Sequence, residues 1–106
     1  MTSNGEPLKA PLPTNSLATI HLEIAGRVQG VGFRWFARQQ ARRLGIDGWA
    51  VNTRSGTVEI VAKGAPEALQ QLEAAVAQGP SGAIVKSVTE LAPIAEEEIP
   101  EGFDVR

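Results

Sequence analysis

The residues best suited to chemistry stand in one short stretch. Gly26, Gly30 and Gly32 punctuate residues 26–34, and Arg34 closes it. Glycine has no Cβ, so such a segment can turn tightly and leave its amides accessible. Apolar residues at helical spacing begin at Phe33, which puts these amides at a helix start. The first N–H groups of a helix have no partner within it, and at its positive end they attract anions. Arg34, in that first turn, adds a planar guanidinium that can grip two phosphate oxygens at once. A dianionic phosphate is the natural guest. The alternative is a plain strand-to-helix turn beside a solvated arginine.

The loop is of no common nucleotide-binding type. It lacks the lysine and hydroxyl of a P-loop, and Gly30 and Gly32 supply only the first half of a dinucleotide fingerprint. Residues 30–36 superficially match an RNA-binding strand motif. That motif stacks bases on strand aromatics, whereas Phe33 and Phe36 fall on a helix stripe.

A second chemical position is Asn52, expected to close a strand. Its amide can accept from water and donate to an oxyanion; asparagine is also a common turn former. Trp49, just before it, reads as core. His21 reads as exposed on the polar face of the first strand, and Glu96, Glu97 and Glu98 as a solvated run rather than a metal site.

The elements that must position these residues follow from periodicity. Ala18, Ile20, Leu22 and Ile24 alternate with Thr19, His21 and Glu23, which predicts a half-buried strand. Residues 26–32 read as a turn. Phe33, Phe36, Ala37, Gln40, Ala41 and Leu44 then form a helical stripe, with Arg38, Gln39, Arg42 and Arg43 outward and Gly45 as a left-handed stop. Strands over residues 47–52 and 57–63 make a hairpin across the turn 53–56. A second helix opens at residues 64–67, with Pro66 and Glu67 at its start and Leu69, Leu72 and Val76 as its stripe. A fourth strand spans residues 83–91, its broken alternation pointing to a bulge. Residues 103–106 offer a short fifth strand. The order β-α-β-β-α-β is the ferredoxin-like motif: an α+β sandwich of an antiparallel sheet with two helices on one face. This architecture hosts many activities, so it does not give function by itself.

Bulk composition narrows the classes. The chain has 106 residues, enough for one domain. Residues 1–17, with Pro7, Pro11 and Pro13, read as a flexible leader, and residues 18–106 as the domain. The absence of cysteine excludes disulfides, thiolate metal sites and a thiol nucleophile, and a reducing cytoplasm is the simplest home. No apolar run is long enough to span a bilayer, and the N-terminus lacks a secretory pattern. Net charge is −2, whereas nucleic-acid binders are usually basic. Yet residues 27–54 hold six arginines and one acid, while residues 90–104 hold six acids and no base. A basic loop in an acidic chain suits a small anion better than a polymer.

Taken together, residues 26–34 (Gly-Arg-Val-Gln-Gly-Val-Gly-Phe-Arg), residues 41–45, residues 48–52 (Gly-Trp-Ala-Val-Asn) and residues 56–59 strongly resemble the acylphosphatase family. The likeness covers roughly residues 18–106. It implies a ferredoxin-like fold and hydrolysis of the carboxyl–phosphate anhydride of acyl phosphates. By position, it implies that Arg34 binds substrate and that Asn52 orients the attacking water. It also implies that the amides of Gln29, Gly30, Val31, Gly32 and Phe33 ring the phosphate. No metal or cofactor is expected. The expected partners are a small acyl phosphate and inorganic phosphate as product and competitor, with no nucleic acid and no membrane, and the chain is expected to be a monomer. Two other readings stand beside this one. One is a carbamoyl-phosphate-handling unit like the N-terminal domain of hydrogenase-maturation carbamoyltransferases, which sits in a longer chain with cysteine-rich zinc segments. The other is a non-catalytic ferredoxin-like module binding a small anion or RNA.

Overall fold

The alternation that begins at Ala18 runs further than expected, and with it the first strand. The computed structural model describes residues 16–106; the leader expected over residues 1–17 lies outside the described residues except for Ser16 and Leu17. Strand β1 (Ala18–Arg27) leads into helix α1 (Phe33–Arg43), then strands β2 (Asp47–Asn52) and β3 (Val58–Gly64), helix α2 (Pro66–Gln78) and strand β4 (Ile84–Glu90). A 3₁₀ turn at Glu96–Glu98 precedes strand β5 (Phe103–Val105).

The sheet order is β4-β1-β3-β2-β5. The first four strands are antiparallel neighbours, as the ferredoxin-like motif requires. The sheet is nevertheless mixed, not wholly antiparallel as expected, because β5 pairs parallel with β2, Gly48 lying opposite Phe103 and Ala50 opposite Val105. The cause is the long connection over residues 91–102, which carries the chain to the far sheet edge; a tight turn would have returned it antiparallel.

Both helices lie on one face. Phe33, Ala37 and Ala41 of α1 and Leu69, Leu72 and Val76 of α2 are buried as their spacing predicts. They meet Leu22, Ile24, Ile60 and their neighbours from the sheet in one core. Phe36 is half-buried and meets Phe33 edge-on, with ring centroids 6.2 Å apart.

Three expectations change on the strands. Gly26 belongs to β1 rather than to the turn. It pairs with Val85 while Ala25 pairs with Ser87, so Lys86 is the extra residue of the bulge expected in β4. A Cβ at Gly26 would collide with the Ile84 carbonyl oxygen, so this glycine serves the close approach of β4. Trp49 is half-buried on the outer face, not in the core. Strand alternation turns its buried neighbour Ala50 inward and Trp49 outward, where the Arg106 guanidinium lies 4.0 Å from its ring centroid. His21 is likewise not simply exposed. Its ring nitrogens meet Glu59 Oε1 at 3.0 Å and the Ala92 carbonyl oxygen at 2.9 Å. Val61, cross-strand neighbour of both His21 and Trp49, is buried between them.

Candidate active site

Helix α1 begins without a side-chain cap. Its N-cap is Gly32, and the first intrahelical bond runs from the Phe36 N–H to the Gly32 carbonyl at 3.0 Å. The amides of Phe33, Arg34 and Trp35 precede that bond and have no partner within the helix. Gly30 and Gly32 have φ of 76° and 77°, and a Cβ on either would meet nothing within 4 Å. The backbone conformation, not crowding, requires glycine there. The first turn carries no acid, while Arg42 and Arg43 stand in the last turn. The positive helix end is thus left uncompensated.

This helix start opens on a cleft of about 220 Å³. Gly30, Gly32 and Arg34 line it from the loop and first turn, and Asn52 lines it from the last residue of β2. The two side chains expected to act together are therefore brought to one cleft by different elements. Arg34 is half-buried, and its Nη1 donates to the main-chain oxygen of Arg106 at 2.7 Å. One arm of the guanidinium is thereby fixed, and the planar head carries further donors.

The remaining expected residues are placed unequally. Phe33 lines the cleft through its main chain, since its side chain is buried in the core. Val31 packs against the core. Gln29 stands behind the cleft, where its Nε2 donates to the Thr53 and Thr57 carbonyl oxygens at 2.9 and 2.8 Å. It ties the loop to the turn that follows Asn52. That turn is braced by a 2.7 Å contact between the Thr53 and Thr57 hydroxyls, and the Thr57 hydroxyl donates to Glu23 Oε2 at 3.0 Å.

Sequence reasoning missed several of these residues. Arg106 is distant in the chain from Arg34, and Thr53 and Thr57 from Gln29 and Glu23, so no local spacing marks those contacts. Trp35 also lines the cleft. Arg38, expected to face outward, is half-buried and holds its guanidinium 5.1 Å from the Trp35 ring centroid. Their i, i+3 spacing puts them on one helix face and could have signalled the pair. Among the described residues, no group of three or more His, Cys, Asp or Glu is placed to hold a metal, and no helix is long and apolar enough to cross a membrane.

Fold and cleft together define a small ferredoxin-like α+β domain with a cleft at an uncapped helix start, lined by Arg34 and Asn52. The acylphosphatase family model matches residues 20–105. The chain belongs to the acylphosphatase family. An acylphosphatase of Thermococcus kodakarensis is 52% identical over 68 residues, covering 64% of this chain and 75% of that protein. One of Thermotoga maritima is 39% identical over 88 residues, covering 83% and 92% respectively. The crystal structure of an acylphosphatase from Bacillus subtilis matches with a TM-score of 0.73 and 35% identity, covering 86% of this chain and 99% of that one.

Proposed function

We propose that this chain hydrolyses acyl phosphates with the phosphoryl group held by the loop amides and Arg34 and the attacking water held by Asn52. The observation that carries this reading is the convergence of Arg34 and Asn52 on one cleft at the uncapped start of α1. The loop amides and the guanidinium offer donors to the phosphoryl oxygens and offset charge as the bond to the acyl oxygen breaks. Asn52 orients water for in-line attack. A bond forms between the water oxygen and phosphorus, and the phosphorus–acyl oxygen bond breaks with its electron pair on the carboxylate. One water proton passes to a phosphate oxygen. The carboxylate is a good leaving group, so the step needs no strong general acid, and the reading calls for no metal or other cofactor.

Gln29 serves this site by holding the loop against the turn after Asn52, so that phosphate and water are presented in a constant relation. Inorganic phosphate fits the same donors and competes as product. The same reading makes the chain a cytoplasmic monomer. Among the described residues, the exposed large apolar side chains are Leu17, Trp35 and Ile84, and single exposed apolar residues are ordinary on a monomer's surface. Against RNA stand the acidic balance and the burial of Phe33 within the helix-covered core. The direct test is turnover of benzoyl phosphate by the purified protein, with inorganic phosphate as competitor. A rate no greater than spontaneous hydrolysis overturns the reading.

A further inference from the structure

The donors described above account for the phosphoryl end of a substrate and leave its acyl end without a partner. Three of the residues that line the cleft are apolar: Val28, Phe33 and Trp35. Val28 and Phe33 are each 1% exposed, so the core already uses their surfaces, whereas Trp35 is 57% exposed. Of the three, Trp35 alone keeps a side-chain surface that a ligand at the cleft can still cover. It follows Arg34 directly in the first turn of α1, so a group attached to a phosphate on Arg34 lies within its reach. The Arg38 guanidinium, 5.1 Å from the ring centroid, restrains the ring from the next helical turn and adds positive charge beside the cleft. An indole so exposed contributes little to folding, and a flat face beside an anion site is what a flat acyl group would bind.

We propose that Trp35 is the acyl-group determinant of this site, its indole stacking on a flat, aromatic acyl group while Arg34 holds the phosphoryl end, with Arg38 positioning the ring. The proposal rests on the acyl-phosphate reading above and deepens it to a substrate class: aroyl phosphates over small aliphatic ones. An aromatic pair gains from stacking as well as from covered area, and an acetyl group covers too little of the ring to gain comparably.

The test compares kcat/KM for benzoyl phosphate and acetyl phosphate in wild type, Trp35→Ala, Trp35→Phe and Arg38→Gln, with the inhibition constant of inorganic phosphate measured for each. In Trp35→Ala, benzoyl phosphate turnover falls about tenfold, and acetyl phosphate turnover changes less than about twofold. The phosphate inhibition constant stays at its wild-type value. Trp35→Phe keeps most of the preference for benzoyl phosphate, and Arg38→Gln loses part of it. If Trp35→Ala leaves the benzoyl-to-acetyl ratio unmoved, or weakens phosphate inhibition, the proposal is overturned while the hydrolase reading stands. If wild type hydrolyses neither substrate, the underlying reading falls and the proposal with it. Should the alanine variant fail to fold, the phenylalanine and Arg38 variants decide the ratio.

Discussion

Arg34 donates from Nη1 to the main-chain oxygen of Arg106 at 2.7 Å, across 72 positions of chain. That oxygen is itself held in place. The Arg106 N–H donates to the Ala50 carbonyl at 2.8 Å, and its guanidinium stacks on Trp49, 4.0 Å from the ring centroid. The end of β5 thus acts as a strut between the outer face of β2 and the arginine of the cleft.

Arg106→Ala tests this strut. The substitution keeps the main-chain acceptor and removes the stack, a loss of about 0.5–1 kcal/mol at an exposed site. The expected outcome is a rise of a few-fold in the phosphate inhibition constant, with kcat changed less. Inhibition kinetics check it, and an unchanged constant would mean that the strut does not position Arg34.

Arg34→Ala removes the cation of the cleft. Turnover is expected to fall by roughly 10²–10³ or more, as for loss of one transition-state donor, and phosphate inhibition should disappear. Arg34→Lys should recover little, because a compact ammonium cannot reproduce the planar fork.

Asn52→Ala separates the two halves of the site. Here kcat should drop by about 10²–10³, while phosphate inhibits as in wild type. Loss of phosphate inhibition in this variant would contradict the assignment of water to Asn52.

Gln29→Leu probes the tie between loop and turn. It removes two hydrogen bonds to main-chain carbonyls, each of which keeps a backbone donor (Gly56 N–H on Thr53, Thr53 N–H on Thr57), so the expected cost is the net worth of the lost bonds, about 0.5–1.5 kcal/mol each. A lower urea midpoint should accompany losses in both kcat and phosphate affinity, since both sides of the cleft are loosened. A drop in stability alone would make Gln29 merely structural.

Gly26→Ala and Gly30→Ala should part company. At Gly26 a Cβ meets the backbone of β4 and the φ is 130°, so a loss near 3 kcal/mol or more is expected, roughly the upper range for overpacking. At Gly30 there is open space, and the strain of a positive φ costs only about 1–2 kcal/mol. Thermal unfolding of the two variants measures the difference, and activity should suffer more from the Gly30 change than its stability loss explains.

Much of this molecule was legible locally. Strand alternation, the helical stripes from Phe33 and Leu69, the Gly45 stop and the bulge in β4 each depend on contacts within a few residues or on a repeating face. The loop glycines and Arg34 were readable for the same reason, since an uncapped helix start is made by neighbours in the chain. Asn52 acquired meaning only beside the loop and through the family resemblance, because an asparagine at a strand end is equally a turn former.

What stayed hidden depends on which strands become neighbours. Nothing near Gly26 says that β4 passes so close, nothing near Phe103 says that β5 enters parallel to β2, and nothing near Trp49 says that Arg106 covers it. The sequence by itself determined the elements, the uncapped helix start and the two polar side chains available to it, because these follow from backbone geometry and residue chemistry at short range. Tertiary structure alone decided that Arg34 and Asn52 share a cleft, that Gln29 and Arg106 hold that cleft together, and that Trp35 stands bare at its side. Those relations arise from packing one sheet against two helices, and packing joins residues that the chain keeps far apart.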